Sequence, residues 1–219
     1  ALPIFVYQDE KRNVIRGHTL FIYGPRCGYT DIISDMLARF ANNELCNSNL
    51  TRWKVLHQSD YYKPEHVVKM IPQCCGVVNY NPINNPTDTK YSNYVNYENV
   101  KSLNLRMLMD DIESYTSDGI NVIIEGHIHL THCGNLVGSP VIYVTQSNES
   151  LVKSSKFRAD ISERVDDGDE IRYKIIEKYV GPAQGVVEQL FMENVKSVKC
   201  FNIDDNQFNV ISELYSAIK

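Results

Sequence analysis

The sequence predicts an α/β fold in which helices cover both faces of a parallel β-sheet. Five short runs are apolar at nearly every position, and segments with helical periodicity lie between them. Strands of this composition are buried on both sides, as in parallel sheets, whereas half-exposed strands alternate apolar and polar residues. The runs are residues 19–23, 53–57, 121–125, 140–145 and 198–203.

Three helical segments are indicated by apolar residues that recur three or four positions apart. The first follows the first strand, the second precedes the third strand, and the last covers about residues 206–218. Their apolar stripes are Ile32, Ile33, Met36, Leu37 and Phe40; Val100, Leu103, Leu105, Leu108, Met109 and Ile112; and Phe208, Ile211, Leu214, Tyr215 and Ile218.

Length and composition indicate one domain over residues 1–219. A chain of 25.1 kDa with 43% hydrophobic residues can bury a full core. The net charge of -5 argues against nucleic acid as a partner. The sequence has neither an apolar run of about 18 residues nor a signal-peptide pattern. We therefore expect an intracellular, non-secreted protein without a membrane span.

The segment 72–96, PQCCGVVNYNPINNPTDTKYSNYVN, has little periodicity and is rich in Asn, Pro and Tyr, which predicts a long irregular loop. Tyrosine suits contacts between proteins because its ring is apolar and its hydroxyl is polar. The six cysteines lack metal-binding spacing and are interpreted as reduced thiols, with disulfides formed after assembly as the alternative. The predicted assembly contacts are Tyr80, Tyr91, Tyr94, Tyr97, Cys74 and Cys75.

A glycine-containing turn joins the first strand to the first helix, as in a phosphate-binding P-loop. Only three residues separate Gly24 from Gly28, where the motif has four, and Tyr29 stands where the motif requires lysine. Thr30 retains the hydroxyl that binds magnesium in such loops, and Asp31 adds negative charge that repels a phosphate. Arg26 is the alternative cation within the loop.

Four stretches in order resemble the nucleoside kinases of the P-loop superfamily, nearest the nicotinamide riboside and uridine kinases. They are the loop at 24–30, HQSDYYKP at 57–64, NYENVKSLNLRMLMDDI at 96–112 and VIIEGHIHL at 122–130. The resemblance spans most of the chain. It implies a five-stranded parallel sheet flanked by helices, with a small lid at about residues 154–172.

The second of these motifs departs from the family in its chemistry. In the family, a carboxylate directly after the glutamine is the general base, but this chain has Ser59, which cannot accept a proton near neutral pH. Asp60 follows one position later, where side-chain alternation along a strand directs it elsewhere. The resemblance also places Glu98 at the family's ribose-binding aspartate. Glu125 takes the acidic position on the fourth motif, either holding a magnesium-bound water or without a task.

The lid region also differs, since residues 153–164 keep four basic residues while four acidic residues crowd positions 166–170. Without the loop lysine and the base, we predict a kinase fold without kinase activity and without a cofactor. The vestigial pocket comprises Gly24, Arg26, Gly28, Tyr29, Thr30, Ser59, Asp60, Glu98 and Glu125.

A histidine-rich stretch follows Glu125. Two imidazoles and a thiolate suit zinc, yet we interpret these residues as filling of the former substrate pocket and predict no metal site. The residues are His127, His129, His132 and Cys133.

Three functions are compatible with these features: an active nucleoside kinase, a pseudokinase that binds a nucleotide or a protein partner, and a self-assembling structural protein. The dismantled kinase motifs resemble the occlusion-body matrix proteins, or polyhedrins, of some insect nudiviruses. That resemblance implies a lattice of identical copies that encloses virions in the infected cell. We place the structural function first and the pseudokinase second.

Overall fold

The computed structural model describes residues 16–45, 52–80, 90–130, 136, 139–154, 173–181 and 198–202. Its strands are β1 (Thr19–Tyr23), β2 (Trp53–His57), β3 (Cys75–Tyr80), β4 (Lys90–Val95), β5 (Asn121–Gly126), β6 (Val141–Thr145) and β7 (Val198–Asn202). Its α-helices are α1 (Thr30–Leu45), α2 (Glu65–Val68), α3 (Leu105–Ser117) and α4 (Asn148–Lys153). The predicted lid, apart from Ser154, and the predicted helix at 206–218 lie outside the described residues.

The main sheet is parallel, with the strand order β2-β5-β1-β6-β7. In the sequence, β1 is followed by α1 and then by β2. In the sheet, β2 lies two strands away from β1, on the far side of β5. All carboxyl ends of a parallel sheet meet at one edge, so the residues that follow β1, β2 and β5 converge there. The prediction of an α/β fold with a parallel sheet is confirmed.

Side chains of the central strands alternate between two apolar clusters. Leu20 and Ile22 pack toward α1 together with Ile33 and Leu37, and this cluster continues onto β5 and β6. Phe21 and Tyr23 pack on the opposite face in the cluster that includes α3. The period of two along β1 thus supplies both faces of the sheet with core residues, which explains why the strand is apolar throughout.

The predicted apolar stripe of α1 divides between two sides of the helix. Ile33 and Leu37 are buried against the sheet, whereas Ile32 and Met36 are 46% and 50% exposed. The sequence period alone cannot separate these positions, because the stripe is wider than the face that the sheet covers.

The prediction of an irregular loop over residues 72–96 is wrong for most of the described part. A 3₁₀ turn at Pro72–Cys74 leads into β3, which pairs antiparallel with β4 from Cys75↔Val95 to Tyr80↔Lys90. The pair forms a separate two-stranded sheet. At its base, Cys74, Val95 and Tyr97 pack with Val68 in a small apolar cluster.

The edge strand β2 is held to α1 by one side-chain amide. Asn42 Nδ2 donates to the carbonyl oxygen of Trp53 at 3.1 Å, and Trp53 N–H donates to Asn42 Oδ1 at 2.8 Å. The side chain therefore satisfies the donor and the acceptor of one backbone residue, as a neighbouring strand would.

We expect Asn42→Ala to lower the free energy of unfolding by about 1–2 kcal/mol, because it removes both hydrogen bonds and leaves the Trp53 backbone without this partner. Urea unfolding followed by circular dichroism measures the loss. The matched control is Asn43→Ala at the adjacent exposed position, with an expected change within about 0.5 kcal/mol. Equal losses in the two variants would contradict this role of Asn42.

Candidate functional site

The loop between β1 and α1 is a tight turn whose backbone is packed closely. Gly28 N–H donates to the carbonyl oxygen of Pro25 at 2.8 Å, and Gly24 N–H donates to Gly126 at 3.2 Å. A Cβ atom on Gly24 would lie 2.9 Å from the backbone oxygen of Val144, and one on Gly28 would lie 2.7 Å from that of Pro25. Both glycines are therefore required by close backbone approach.

Two non-glycine residues of this loop adopt left-handed backbone conformations, Cys27 with φ 63° and Tyr29 with φ 64°. Such a conformation costs an L-residue about 1–2 kcal/mol. Tyr29 is half-buried and packs against the apolar cluster between α1 and the sheet, as Trp53 and Val55 also do. The residue at the lysine position of the motif is thus part of the hydrophobic packing.

Arg26, the alternative cation of the loop, faces a carboxylate of the same chain. Its Nη1 atom lies 3.4 Å from Glu98 Oε1, and the two side chains are only 10% and 3% exposed. The guanidinium carbon also lies 5.0 Å from the ring centroid of Tyr97, in cation–π geometry. The structure therefore joins two predicted pocket residues, Arg26 and Glu98, into a buried ion pair.

A chain of polar side chains connects α1 to the ends of β2 and β5. Thr30 Oγ1 donates a hydrogen bond to Oε1 of the buried Glu125, and His57 Nδ1 lies 3.0 Å from Glu125 Oε2. On its other side, His57 Nε2 lies 3.4 Å from Asp35 Oδ1. Thr30 and Glu125 were both predicted pocket residues, and Glu125 has partners on both oxygens.

The hydrogen bond with Glu125 raises the pKa of His57 above its ordinary value, while partial burial opposes this effect. The nearby carboxylates of Asp35 and Asp60 raise the pKa further. The protonated imidazolium is therefore favoured at this position.

His57 belongs to this polar chain but is not among the site residues predicted from the sequence. The available signal was its position at the end of β2, since the register of the sheet pairs His57 with Glu125 at the end of β5. That register depends on which strands are neighbours, and the sequence motif alone does not reveal it.

Ser59 and Asp60 are exposed on a 3₁₀ turn, Gln58–Tyr61, rather than on an extended strand end. The expectation that strand alternation orients Asp60 is therefore wrong in its premise. Gln58 is buried, and its side-chain amide exchanges two hydrogen bonds with the Ile128 backbone, at 2.6 and 2.9 Å. This glutamine is part of the scaffold that supports the loop after β5.

The aromatic residues next to the pocket are packed together. The Tyr62 hydroxyl lies 3.0 Å from His127 Nε2, and the rings of Tyr62 and Tyr97 are 4.9 Å apart. His129 lies against Tyr23, with ring centroids 5.4 Å apart. Across the described ranges, no group of three or more His, Cys, Asp and Glu side chains is arranged to hold a metal ion. His132 and Cys133 lie outside those ranges.

Two predicted assembly contacts are not at the surface. Tyr97 and Cys74 are buried in the cluster at the base of the hairpin, so their side chains are not accessible for contacts between copies of the chain. Cys75 is exposed, and its thiol donates to the carbonyl oxygen of Lys69. Tyr80, Tyr91 and Tyr94 lie on β3 and β4.

In the described part of the chain, each helix is too short or too polar to cross a membrane.

Comparisons with known proteins identify the fold. No family model and no curated protein matches the sequence. A putative fructose transport system kinase from Silicibacter sp. TM1040 matches over 83% of this chain and 88% of its own, with TM-score 0.51 and 7% identity. A gluconokinase from Sinorhizobium meliloti 1021 covers 92% and 91%, with TM-score 0.46 and 9% identity.

The chain thus has an α/β fold with a parallel sheet similar to that of P-loop kinases. At 7% identity this likeness concerns the fold, and the chemistry must be argued from the side chains of this chain.

The raised pKa of His57 predicts a defined pH dependence. Because the folded pKa lies above the unfolded value, the stabilisation is fully present below about pH 6.5 and is lost as pH rises through the folded pKa. The difference in the free energy of unfolding between wild type and His57→Gln should therefore decrease between about pH 6 and 8.5. Urea unfolding across this range measures it.

The matched control is His66→Gln, which replaces an exposed histidine on α2. Its effect on the free energy of unfolding should stay within about 0.5 kcal/mol at each pH. A wild-type advantage over His57→Gln that grows with pH would contradict the assigned interaction.

Proposed function

We propose that this protein is a non-catalytic structural protein that self-assembles through a kinase-like domain. The observation that carries the proposal is that Arg26 and His57, two cations beside the loop, face carboxylates of the protein itself. Phosphoryl transfer depends on positive charge that is positioned to neutralise phosphate oxygens. Cations that are paired internally do not serve that purpose.

A magnesium–nucleotide complex does not fit these residues as they stand. Tyr29 replaces the lysine and packs into the apolar cluster. Glu125 engages Thr30 and His57 through its two oxygens, and Arg26 is paired with Glu98. The exposed Ser59 at the general-base position adds a further obstacle, because a serine hydroxyl does not accept a proton near neutral pH.

The hairpin of β3 and β4 supports self-assembly. It forms its own two-stranded sheet, and within the described residues no third strand pairs with it. Free strand edges present backbone donors and acceptors that accept another strand. Lys90 at the end of the register is the one charged residue of the two strands, so charge repulsion protects these edges little. A second copy of the chain is the partner that we propose.

On the resemblance to nudivirus polyhedrins, the assembly would be the matrix of a viral occlusion body that protects virions. This finer assignment includes a five-stranded nucleoside-kinase-like sheet with a lid at about 154–172. The second candidate is a pseudokinase, which is favoured by one observation: Thr30 and Glu125 remain adjacent beside a glycine turn. Such a protein would bind a nucleotide or a protein partner without turnover.

Isothermal titration of the purified protein with Mg-ATP and with ribonucleosides, together with light scattering against concentration, separates these functions. The structural function predicts no binding heat and a particle mass that rises with concentration. Heat without turnover would favour the pseudokinase. Turnover of a ribonucleoside would contradict a non-catalytic role, and a monomer at all concentrations would contradict self-assembly.

If hairpin tyrosines lie at contacts between copies, their ionisation at high pH should dissolve the assembly, since tyrosine has a reference pKa of about 10. Buried ionised groups would repel one another. We expect the triple variant Tyr80→Phe, Tyr91→Phe, Tyr94→Phe to dissolve at a higher pH than wild type, measured by turbidity. Tyr173→Phe, an exposed site outside the hairpin, is the control and should not shift the midpoint. An unchanged midpoint in the triple variant would contradict tyrosine contacts.

A further inference from the structure

The polar chain around His57 has a feature that a fold of this type does not require. Both ring nitrogens of His57 face carboxylates, Nδ1 toward Glu125 at 3.0 Å and Nε2 toward Asp35 at 3.4 Å. The Nδ1 contact is a hydrogen bond, and the Nε2 contact places a second carboxylate beside the ring. Two nearby carboxylates favour the protonated imidazolium, so His57 brings positive charge to this position.

The group that most needs this cation is Glu125. Its side chain is buried at the end of β5, and burial of an ionised carboxylate is costly unless it is paired and hydrogen-bonded. Thr30 donates one hydrogen bond but carries no charge. Arg26, the cation of the loop, lies against Glu98 and Tyr97. His57 thus supplies the positive charge in contact with Glu125.

The contacts of Glu125 and His57 include oxygen atoms of the kind that hard divalent cations bind. They are the Thr30 hydroxyl, which is hydrogen-bonded to Glu125, and the carboxylates of Glu125 and Asp35, which lie beside the imidazole ring. Mg²⁺ commonly binds through one or two carboxylates while it keeps several waters. With the ring in place, His57 compensates the charge of Glu125 and occupies the position beside its Oε2 atom.

We propose that His57 occupies the place of a divalent cation beside Thr30 and Glu125, so that the protein needs no metal there, and that removal of the imidazole opens a site for a hydrated divalent cation. The inference deepens the proposed loss of phosphoryl transfer. It rests on the proposed function in one respect, which is that the wild-type protein binds no metal at this position. His57 is a positioning residue that ties α1 to β2 and β5.

The test compares thermal unfolding of wild type and variants with MnCl₂ or MgCl₂ and without metal. Wild type should show no metal-dependent shift, whereas His57→Ala should unfold at a lower temperature and recover by about 3–6 °C at roughly ten times Kd. His57→Lys keeps a positive charge at the position and should show no metal response. The double variant His57→Ala, Glu125→Gln should lose the response of His57→Ala.

Two further measurements are the folding of His57→Ala on addition of metal and the metal response of His57→Asn. Should His57→Ala not fold without metal, folding on addition of Mn²⁺ supports the proposal, and no rescue overturns it. His57→Asn, a neutral residue of similar shape, should show the same direction of response. Equal metal shifts in wild type and His57→Ala, or a shift in His57→Lys, overturn the proposal.

The outcome is separable from that of the proposed function. His66→Ala, at an exposed histidine, controls for nonspecific effects of removing an imidazole and should behave as wild type. Binding of Mg-ATP to wild type would contradict the structural function, whereas the comparison with Mn²⁺ alone would still decide the role of His57.

Discussion

Burial of an ionised carboxylate is costly unless hydrogen bonds and an opposite charge stabilise it. Glu125 is such a buried residue at the carboxyl edge of the sheet. β5 lies between β2 and β1, so the register brings His57 to Glu125 from one side while the start of α1 brings Thr30 from the other. Three elements thus meet through one charged group. Removal of His57 leaves the charge of Glu125 without this compensation, and removal of Thr30 leaves a buried carboxylate oxygen without its hydrogen bond.

The Arg26–Glu98 pair applies the same principle on the neighbouring side of the cleft. It ties the loop after β1 to the segment before α3, and the guanidinium of Arg26 also contacts the ring of the buried Tyr97. Together with the His57 interactions, this pair directs the charges of the cleft toward one another. A phosphotransferase directs its cations toward a substrate instead. A fold similar to that of kinases is therefore compatible with side chains that pair their charges within the protein.

The β3–β4 hairpin shows where local sequence patterns are least informative. Burial on both faces selects apolar residues along a strand. A strand without such burial can be polar and need not alternate strictly, so its sequence pattern resembles that of a loop. Val and Tyr favour strands, whereas Asn, Pro and Gly around them favour turns. The cluster that anchors the hairpin, with Cys74, Val95 and Tyr97, also includes Val68 of α2, so it depends on a contact between segments that are separate in the sequence.

The sequence by itself determined the strands of the main sheet, because burial on both faces requires apolar runs whose ends are visible in the chain. It also determined that Tyr29 stands where a phosphate loop has lysine. Only the tertiary structure decided the partners of Arg26 and Glu125. Arg26 pairs with Glu98, 72 positions away in the sequence, and Glu125 pairs with His57, 68 positions away. The physical reason is that strand order and helix packing set these distances, and neither is encoded by the residues adjacent to each charge.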